Sequence, residues 1–330
     1  MTTLTKKELF ARLADAVEKV EPIDTETALA VLSCPNEQFP MVMAYANEMK
    51  LAGLGAEAKL CSIMNTKSGS CSEDCAFCAQ SGHHNTDVES YDMKASDEII
   101  EAYDIANEQP ISRFGIVTSG EGLSPEDIDI YVDAIKKGKK KNADWCGSVG
   151  IIEVEQLQKL KDAGVTRLHH NLEVAESFFP EICSTHDYSE RVEMVKRIKD
   201  MGFSICCGGI MGVGEELHHR VELAQKMFEL DIDSIPVNFH IPVQGTRIAH
   251  LKPIPPMEIL KTIAMFRLTN PTAEVKIAAG RIHMRDLQSM VFMAGASSMM
   301  IGDLLTVAAR SVKEDMQMLK DLEQPYTTKN

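Results

Sequence analysis

From Lys59 onward, short apolar runs alternate with longer amphipathic stretches about eight times, and this constrains the fold more than any other feature of the chain. The strand-like runs fall at 60–65, 114–119, 145–150, 167–173, 204–211, 234–241, 274–279 and 298–302. Between them lie helical patterns such as DEIIEAYDIANE, PEDIDIYVDAIKK, EVEQLQKLKDAG and SERVEMVKRIKDMG. Several begin at Ser or Pro, and DAG and DMG end at Gly164 and Gly202. Eight β/α units in about 270 residues is the usual size of a closed (β/α)8 barrel of the TIM type, with a doubly wound open sheet as the alternative. Earlier residues, KKELFARLADAVEKV and PMVMAYANEMKLAG, read as helices without strands. We therefore expect a helical extension over residues 1–55 and the barrel, closed by a last helix KEDMQMLKDLE, over 56–330.

Charge narrows the partners. Lys and Arg number 34 against 49 Asp and Glu, a formal charge of −15, which speaks against nucleic acid or an anionic membrane. The run KKGKKK at 136–141 sits where a helix should end and complements its dipole. Aromatic residues are only 5% of the chain, with one tryptophan, Trp145, so there is little to build a base-stacking platform. No apolar run approaches a bilayer span and no signal peptide is recognisable, so a soluble cytoplasmic protein is expected. The 19 methionines read as core filling.

In such a chain nine cysteines point to metal or redox chemistry rather than to disulfides. Cys71, Cys75 and Cys78 form C-x3-C-x2-C in SGSCSEDCAFCAQS, directly after the first strand, where a barrel keeps its catalytic face. Three thiolates on a short loop can hold an iron-sulfur cluster and leave one iron open to a ligand. The competing reading is a zinc site completed by His83 or His84, although zinc normally takes two close pairs of ligands.

With an aromatic residue before its last cysteine, this motif resembles the hallmark of the radical S-adenosylmethionine (SAM) superfamily. The resemblance implies a 4Fe-4S cluster whose open iron binds SAM, and an electron that splits SAM to give a 5′-deoxyadenosyl radical able to attack unactivated carbon. Cys146 in the third strand, Cys183 after the fourth, Cys206 and Cys207 in the fifth, and Arg281 in AAGR suggest a second cluster deep in the lumen.

Over about residues 25–321 the chain resembles the biotin synthase family. The strings that carry it are KSGSCSEDCAFCAQS, LKDAGVTRLHHNLE, ICSTHDYSERV, CCGGIMGVGE, DSIPVNFHIPVQGT, AAGR and FMAGASSMMIGDLLT. That family inserts sulfur from an auxiliary cluster into dethiobiotin. The resemblance implies that Cys71, Cys75 and Cys78 hold the SAM cluster and that Cys146, Cys206 and Arg281 belong to the auxiliary site. Gly115 stands where the familiar auxiliary site has a fourth ligand, a cysteine. Some members, chiefly from anaerobes, lack that cysteine, and Cys183 is expected to replace it, with Cys207 an open neighbour.

For SAM the resemblance implies Glu173 at the ribose, Glu121 at the methionyl ammonium and Arg191 at the carboxylate, with Asn171 alongside. For dethiobiotin it implies Asn171 and Asn238 at the ureido ring, Lys67 close by and Thr306 near the carboxylate, where Val307 replaces a second hydroxyl. His169 replaces a family asparagine. It further implies a flavodoxin or ferredoxin as electron donor and a homodimer. Because VTSGEG also resembles hydrogenase-maturation and methylornithine-forming enzymes, a radical SAM isomerase or maturase is the enzymatic alternative. An iron-sulfur scaffold or electron carrier is the non-enzymatic one.

Overall fold

The computed structural model describes residues 4–138, 141–302 and 310–327. Three helices come first: α1 (Lys6–Lys19), α2 (Thr25–Ser33) and α3 (Phe39–Leu54). There follow β1 (Lys59–Lys67), α4 (Ser96–Ala106), β2 (Arg113–Thr118), α5 (Pro125–Lys137), β3 (Asp144–Ser148), α6 (Val154–Ala163), β4 (Arg167–His169) and α7 (Tyr188–Asp200). The chain continues through β5 (Ser204–Cys206), β6 (Gly209–Met211), α8 (Leu217–Glu229), β7 (Ser234–Phe239), α9 (Pro256–Thr269), β8 (Glu274–Ile277), α10 (Met290–Met293), β9 (Ser298–Met300) and α11 (Val312–Asp321).

Every ladder between these strands is parallel, and the sheet closes on itself. β1 pairs with both β2 and β9, and β5 pairs with β7 across the remaining gap. The (β/α)8 barrel expected from the alternation is therefore present, and the open doubly wound sheet is not. Its local signals also act as expected: Ser124 caps α5 ahead of Pro125, and Gly164 ends α6 in the left-handed region at φ 108°. Lys136 and Lys137 lie in the last turn of α5, with Lys137 paired to Asp133 at 2.7 Å.

Two staves differ from expectation. Residues 204–211 form two short strands rather than one, because the chain breaks at Cys207 and Gly208. The Cys207 N–H donates to Ser234 O at 2.9 Å, whereas the Gly208 N–H leaves the ladder for the Asn171 side chain at 3.0 Å. A Cβ on residue 208 would stand 1.9 Å from Pro236 O, so only glycine fits this crossing. The fourth run also stops early, at His169. Beyond it the Leu172 N–H reaches Gly208 O at 3.0 Å and Glu173 turns to φ 68°. The two irregularities face each other and are joined by a parallel bridge between Glu173 and Gly209, with the Ile210 N–H donating to Glu173 O at 2.7 Å.

The first three helices share one hydrophobic core with the barrel: Leu13, Val42 and Met49 are buried in the cluster that contains Ile263 and Phe266 of α9. Lys50 of α3 is buried there, donating to Phe292 O at 3.0 Å. Burial, aided by the nearby Arg267, lowers its ammonium from 10.5 to about 8. The native state thus lacks a proton that the unfolded chain holds between those values, and stability should rise with pH across that window. Lys50→Met is expected to remove the slope and to add about 1–2 kcal/mol near pH 7, where the wild-type charge is carried at a desolvation cost. Denaturant unfolding of both proteins at pH 7.5 and 9.5 measures it; equal slopes would refute the assignment. Among the described residues no helix is long and apolar enough to cross a membrane.

Candidate active site

A TIM-type barrel ordinarily fills its interior with layers of bulky apolar side chains. Here charged groups and thiols stand among the apolar side chains of the interior. At the lower level Glu274 of β8 accepts from Arg167 of β4 at 2.7 Å and from Lys59 of β1 at 2.5 Å. Burial opposes its ionisation, but the facing Arg167 outweighs this and holds the carboxyl well below the usual range. This ion-paired floor closes the lumen from beneath.

Above it opens a cavity of about 410 Å³ whose lower wall carries Cys61, Cys146, Cys206 and Lys276. Register explains the grouping. Cys146 lies beside Gly115 on one side and Arg167 on the other, and Cys206 lies beside His169. Lys276 Nζ is 3.7 Å from Cys206 Sγ. Burial alone would raise the Cys206 thiol, yet Lys276, His169 and Arg167 draw it down to about 6. Burial and the neighbouring Cys61 push Cys146 up to about 12. β2 contributes no donor: a Cβ on Gly115 would meet Cys146 Sγ at 3.2 Å and Ile63 Cγ2 at 3.3 Å.

Three expectations for the lumen are corrected by this arrangement. Cys183 does not face Cys146 and Cys206; it follows a 3-10 turn at the barrel mouth, where its Sγ lies 3.9 Å from Cys75 Sγ. Arg281 lies beyond the strand end, past Gly280, and turns outward. Its Nη1 donates to Asp315 Oδ1 of α11 at 2.7 Å and its Nη2 to Oδ2, with both residues buried. Cys207 points away from the cavity into the apolar core. Cys61, buried on β1, also lines the cavity, and no sequence motif marks it. Its signal was parity: with strand alternation it shares a face with Ile63, which pairs with Gly115.

At the upper end the loop after β1 carries Cys71, Cys75 and Cys78, all free thiols and all lining the cavity. The loop is braced by itself. The Cys71 N–H donates to Gln80 O at 3.0 Å, the Gly82 N–H to Cys71 O at 2.8 Å, and the Cys78 N–H to Cys75 O at 2.9 Å. His83 and His84 do not turn to the thiols: His83 Nε2 meets Ser72 O and His84 Nδ1 meets Cys78 O, both at 2.9 Å. They fasten loop carbonyls and add no ligand to the triad.

Between the two levels lie the remaining polar groups. Asn171 Nδ2 donates to Glu173 at 3.3 Å, and Arg191 Nη1 donates to Asn171 O at 3.1 Å. Arg191 Nε donates to His186 Nε2 at 2.7 Å. Asn238 Nδ2 donates to Gly209 O, and its Oδ1 accepts from the Ala279 N–H, both at 3.1 Å. Glu121 lines the mouth and is exposed. Lys67 is not in the cavity wall; it turns to α5 and pairs with Asp127 at 2.6 Å. Thr306 and Val307 lie outside the described residues.

Comparison with known proteins agrees with this geometry. Residues 66–228 match the Radical SAM superfamily, and residues 236–324 match the Biotin and Thiamin Synthesis associated domain. The crystal structure of methylornithine synthase superposes with a TM-score of 0.83 at 18% identity, covering 96% of this chain and 97% of that one. The hydrogenase maturase of Carboxydothermus hydrogenoformans gives 0.80 at 16%, covering 98% and 80%. At those identities the likeness is one of fold. Sequence likeness is much higher elsewhere. The biotin synthase of Maridesulfovibrio salexigens is 44% identical, covering 96% of this chain and 97% of its own, and that of Geobacter metallireducens is 45% identical, covering 94% and 95%. With cysteines gathered at two levels of a radical SAM barrel and this identity running nearly end to end, the chain belongs to the biotin synthase family.

Proposed function

We propose that this chain is a biotin synthase, inserting sulfur into dethiobiotin, with a SAM cluster on Cys71, Cys75 and Cys78 and an auxiliary sulfur-donating cluster on Cys61, Cys146 and Cys206. The observation that carries this reading is the pair of cysteine sets at the two ends of one cavity. The donors fit. Three soft, unpaired thiols on the upper loop suit an iron-sulfur cluster with one open position, and three more surround the lumen floor beside a buried ammonium. When bound, the upper cluster and SAM supply a carbon-centred radical, and the lower cluster supplies the sulfur.

The chain's own residues account for binding and orientation. Arg191 has Nε and Nη1 committed to His186 and Asn171, which aims Nη2 for the methionyl carboxylate. Glu173, fixed by the Asn171 amide, accepts from ribose hydroxyls, and Glu121 at the mouth receives the ammonium. Asn171 and Asn238 each spend one N–H and one lone pair on the chain, at Glu173 and Gly208 and at Gly209 and Ala279 respectively. Each keeps one N–H and one lone pair, the complement of a ureido edge. The position of Thr306 near the substrate carboxylate, a flavodoxin or ferredoxin donor, a cytoplasmic site and a homodimer rest on the family resemblance.

Anaerobic turnover with dethiobiotin, SAM and a low-potential reductant tests the function directly. Biotin, methionine and 5′-deoxyadenosine are expected together, at no more than about one biotin per auxiliary cluster if that cluster is consumed as the sulfur source. Cys75→Ala is expected to give none of the three products. SAM cleavage without biotin would leave a radical enzyme with another substrate.

A further inference from the structure

Cys183 is left without a role by the reading above, on which the following inference rests. Its Sγ lies 3.9 Å from Cys75 Sγ, 3.4 Å from Thr185 Oγ1 and 3.4 Å from His186 Nδ1, and the residue is buried. Proton bookkeeping decides what its S–H can do. Arg191 has no acceptor, so its Nε–H fixes His186 Nε2 as the accepting nitrogen, and the ring proton of neutral His186 sits on Nδ1. That proton goes to the Glu73 carboxylate, which Nδ1 contacts. The Thr185 hydroxyl also donates to Glu73, at 2.5 Å, while its oxygen accepts from the Asp74 N–H at 3.3 Å. The Thr185 hydroxyl and the His186 ring therefore spend their protons on Glu73, and the third polar group acting on Cys183, the Asp74 carboxylate, already accepts from the Ser184 N–H at 2.8 Å and the Ser184 hydroxyl at 2.6 Å.

We propose that Cys183 is a positioning residue for the SAM cluster, its thiol donating a hydrogen bond to the Cys75 thiolate and so setting the reduction potential of the cluster. A cluster-bound thiolate carries negative charge and is a stronger acceptor than the neutral Thr185 hydroxyl. Adding an electron increases the charge on the cluster sulfurs, so a donor to one of them stabilises the reduced state more than the oxidised state. Glu73, Thr185 and His186 hold the sulfur in place, and Glu73 itself belongs to the loop that carries the triad. This geometry links the loop to the turn before α7, so the potential of the cluster depends on a residue far away in the chain.

The test is a redox titration of the anaerobic full-length protein loaded with its clusters, followed by electron paramagnetic resonance. The signal that changes when SAM is added identifies the SAM cluster. Cys183→Ala is expected to lower the reduced-to-oxidised ratio of that signal about tenfold at a fixed potential, a shift of about 59 mV for one electron. Cys183→Ser, which restores a donor, is expected to recover most of it. Cys183→Val serves as the apolar variant if alanine does not hold the cluster. An unchanged potential in the apolar variant, or an equal fall in the serine and apolar variants, overturns the proposal. A wild-type protein showing no SAM-responsive signal would instead overturn the cluster assignment to Cys71, Cys75 and Cys78.

Discussion

Cys61→Ala is expected to abolish biotin formation, by about 100-fold or more, while SAM cleavage continues. The two remaining lumen thiols, Cys146 and Cys206, cannot hold the auxiliary cluster alone, and β2 offers only Gly115. Cys183→Ala should behave differently, because its sulfur lies at Cys75 and not at the lumen floor. Iron and sulfide counts on protein that also lacks Cys71, Cys75 and Cys78 separate the two. Auxiliary iron should vanish with Cys61→Ala and persist with Cys183→Ala. The reverse pattern would show that the loop bearing Cys183 moves into the lumen when the cluster is built, and would sink the ligand set proposed here.

Arg281→Met is expected to destabilise the fold by about 3–5 kcal/mol. The guanidinium and Asp315 form a bidentate pair in which Asp315 is 0% and Arg281 4% exposed, so removing the cation strands a buried carboxylate. Through this pair α11 is tied to the turn after β8. The double substitution Arg281→Met with Asp315→Leu should recover most of the loss, since the charge and its counter-charge leave together. Denaturant unfolding gives both numbers. Arg281 acting as a cluster ligand would instead lower auxiliary iron content with little change in the unfolding of the cluster-free chain. The buried cations that do face the lumen thiols are Arg167 and Lys276, the latter 3.7 Å from Cys206 Sγ.

Much of the architecture is legible in the amino-acid sequence. Eight apolar runs separated by capped amphipathic helices define right-handed β/α units in the number a barrel needs, and the β1–β9 and β5–β7 pairings select the closed barrel over the open sheet. The split of the fifth stave was not legible, because the close approach of Pro236 O to Gly208 comes from a strand far along the chain. The C-x3-C-x2-C loop was readable because all three cysteines fall within eight residues of one another, and local backbone hydrogen bonds suffice to gather them.

What the linear sequence determined by itself is thus the eightfold β/α repeat, the upper cysteine triad and the likeness to one enzyme family. Which side chains meet inside the barrel was decided only in three dimensions. Strand register and parity turn Cys61 and Lys276 inward, whereas Gly280 carries the chain past the end of β8 so that Arg281 turns out to Asp315. The loop after β4 likewise lifts Cys183 to the mouth, beside Cys75. Residue identity names the possible ligands. The inward or outward sense of each depends on closure of the sheet, a non-local property that no short motif encodes.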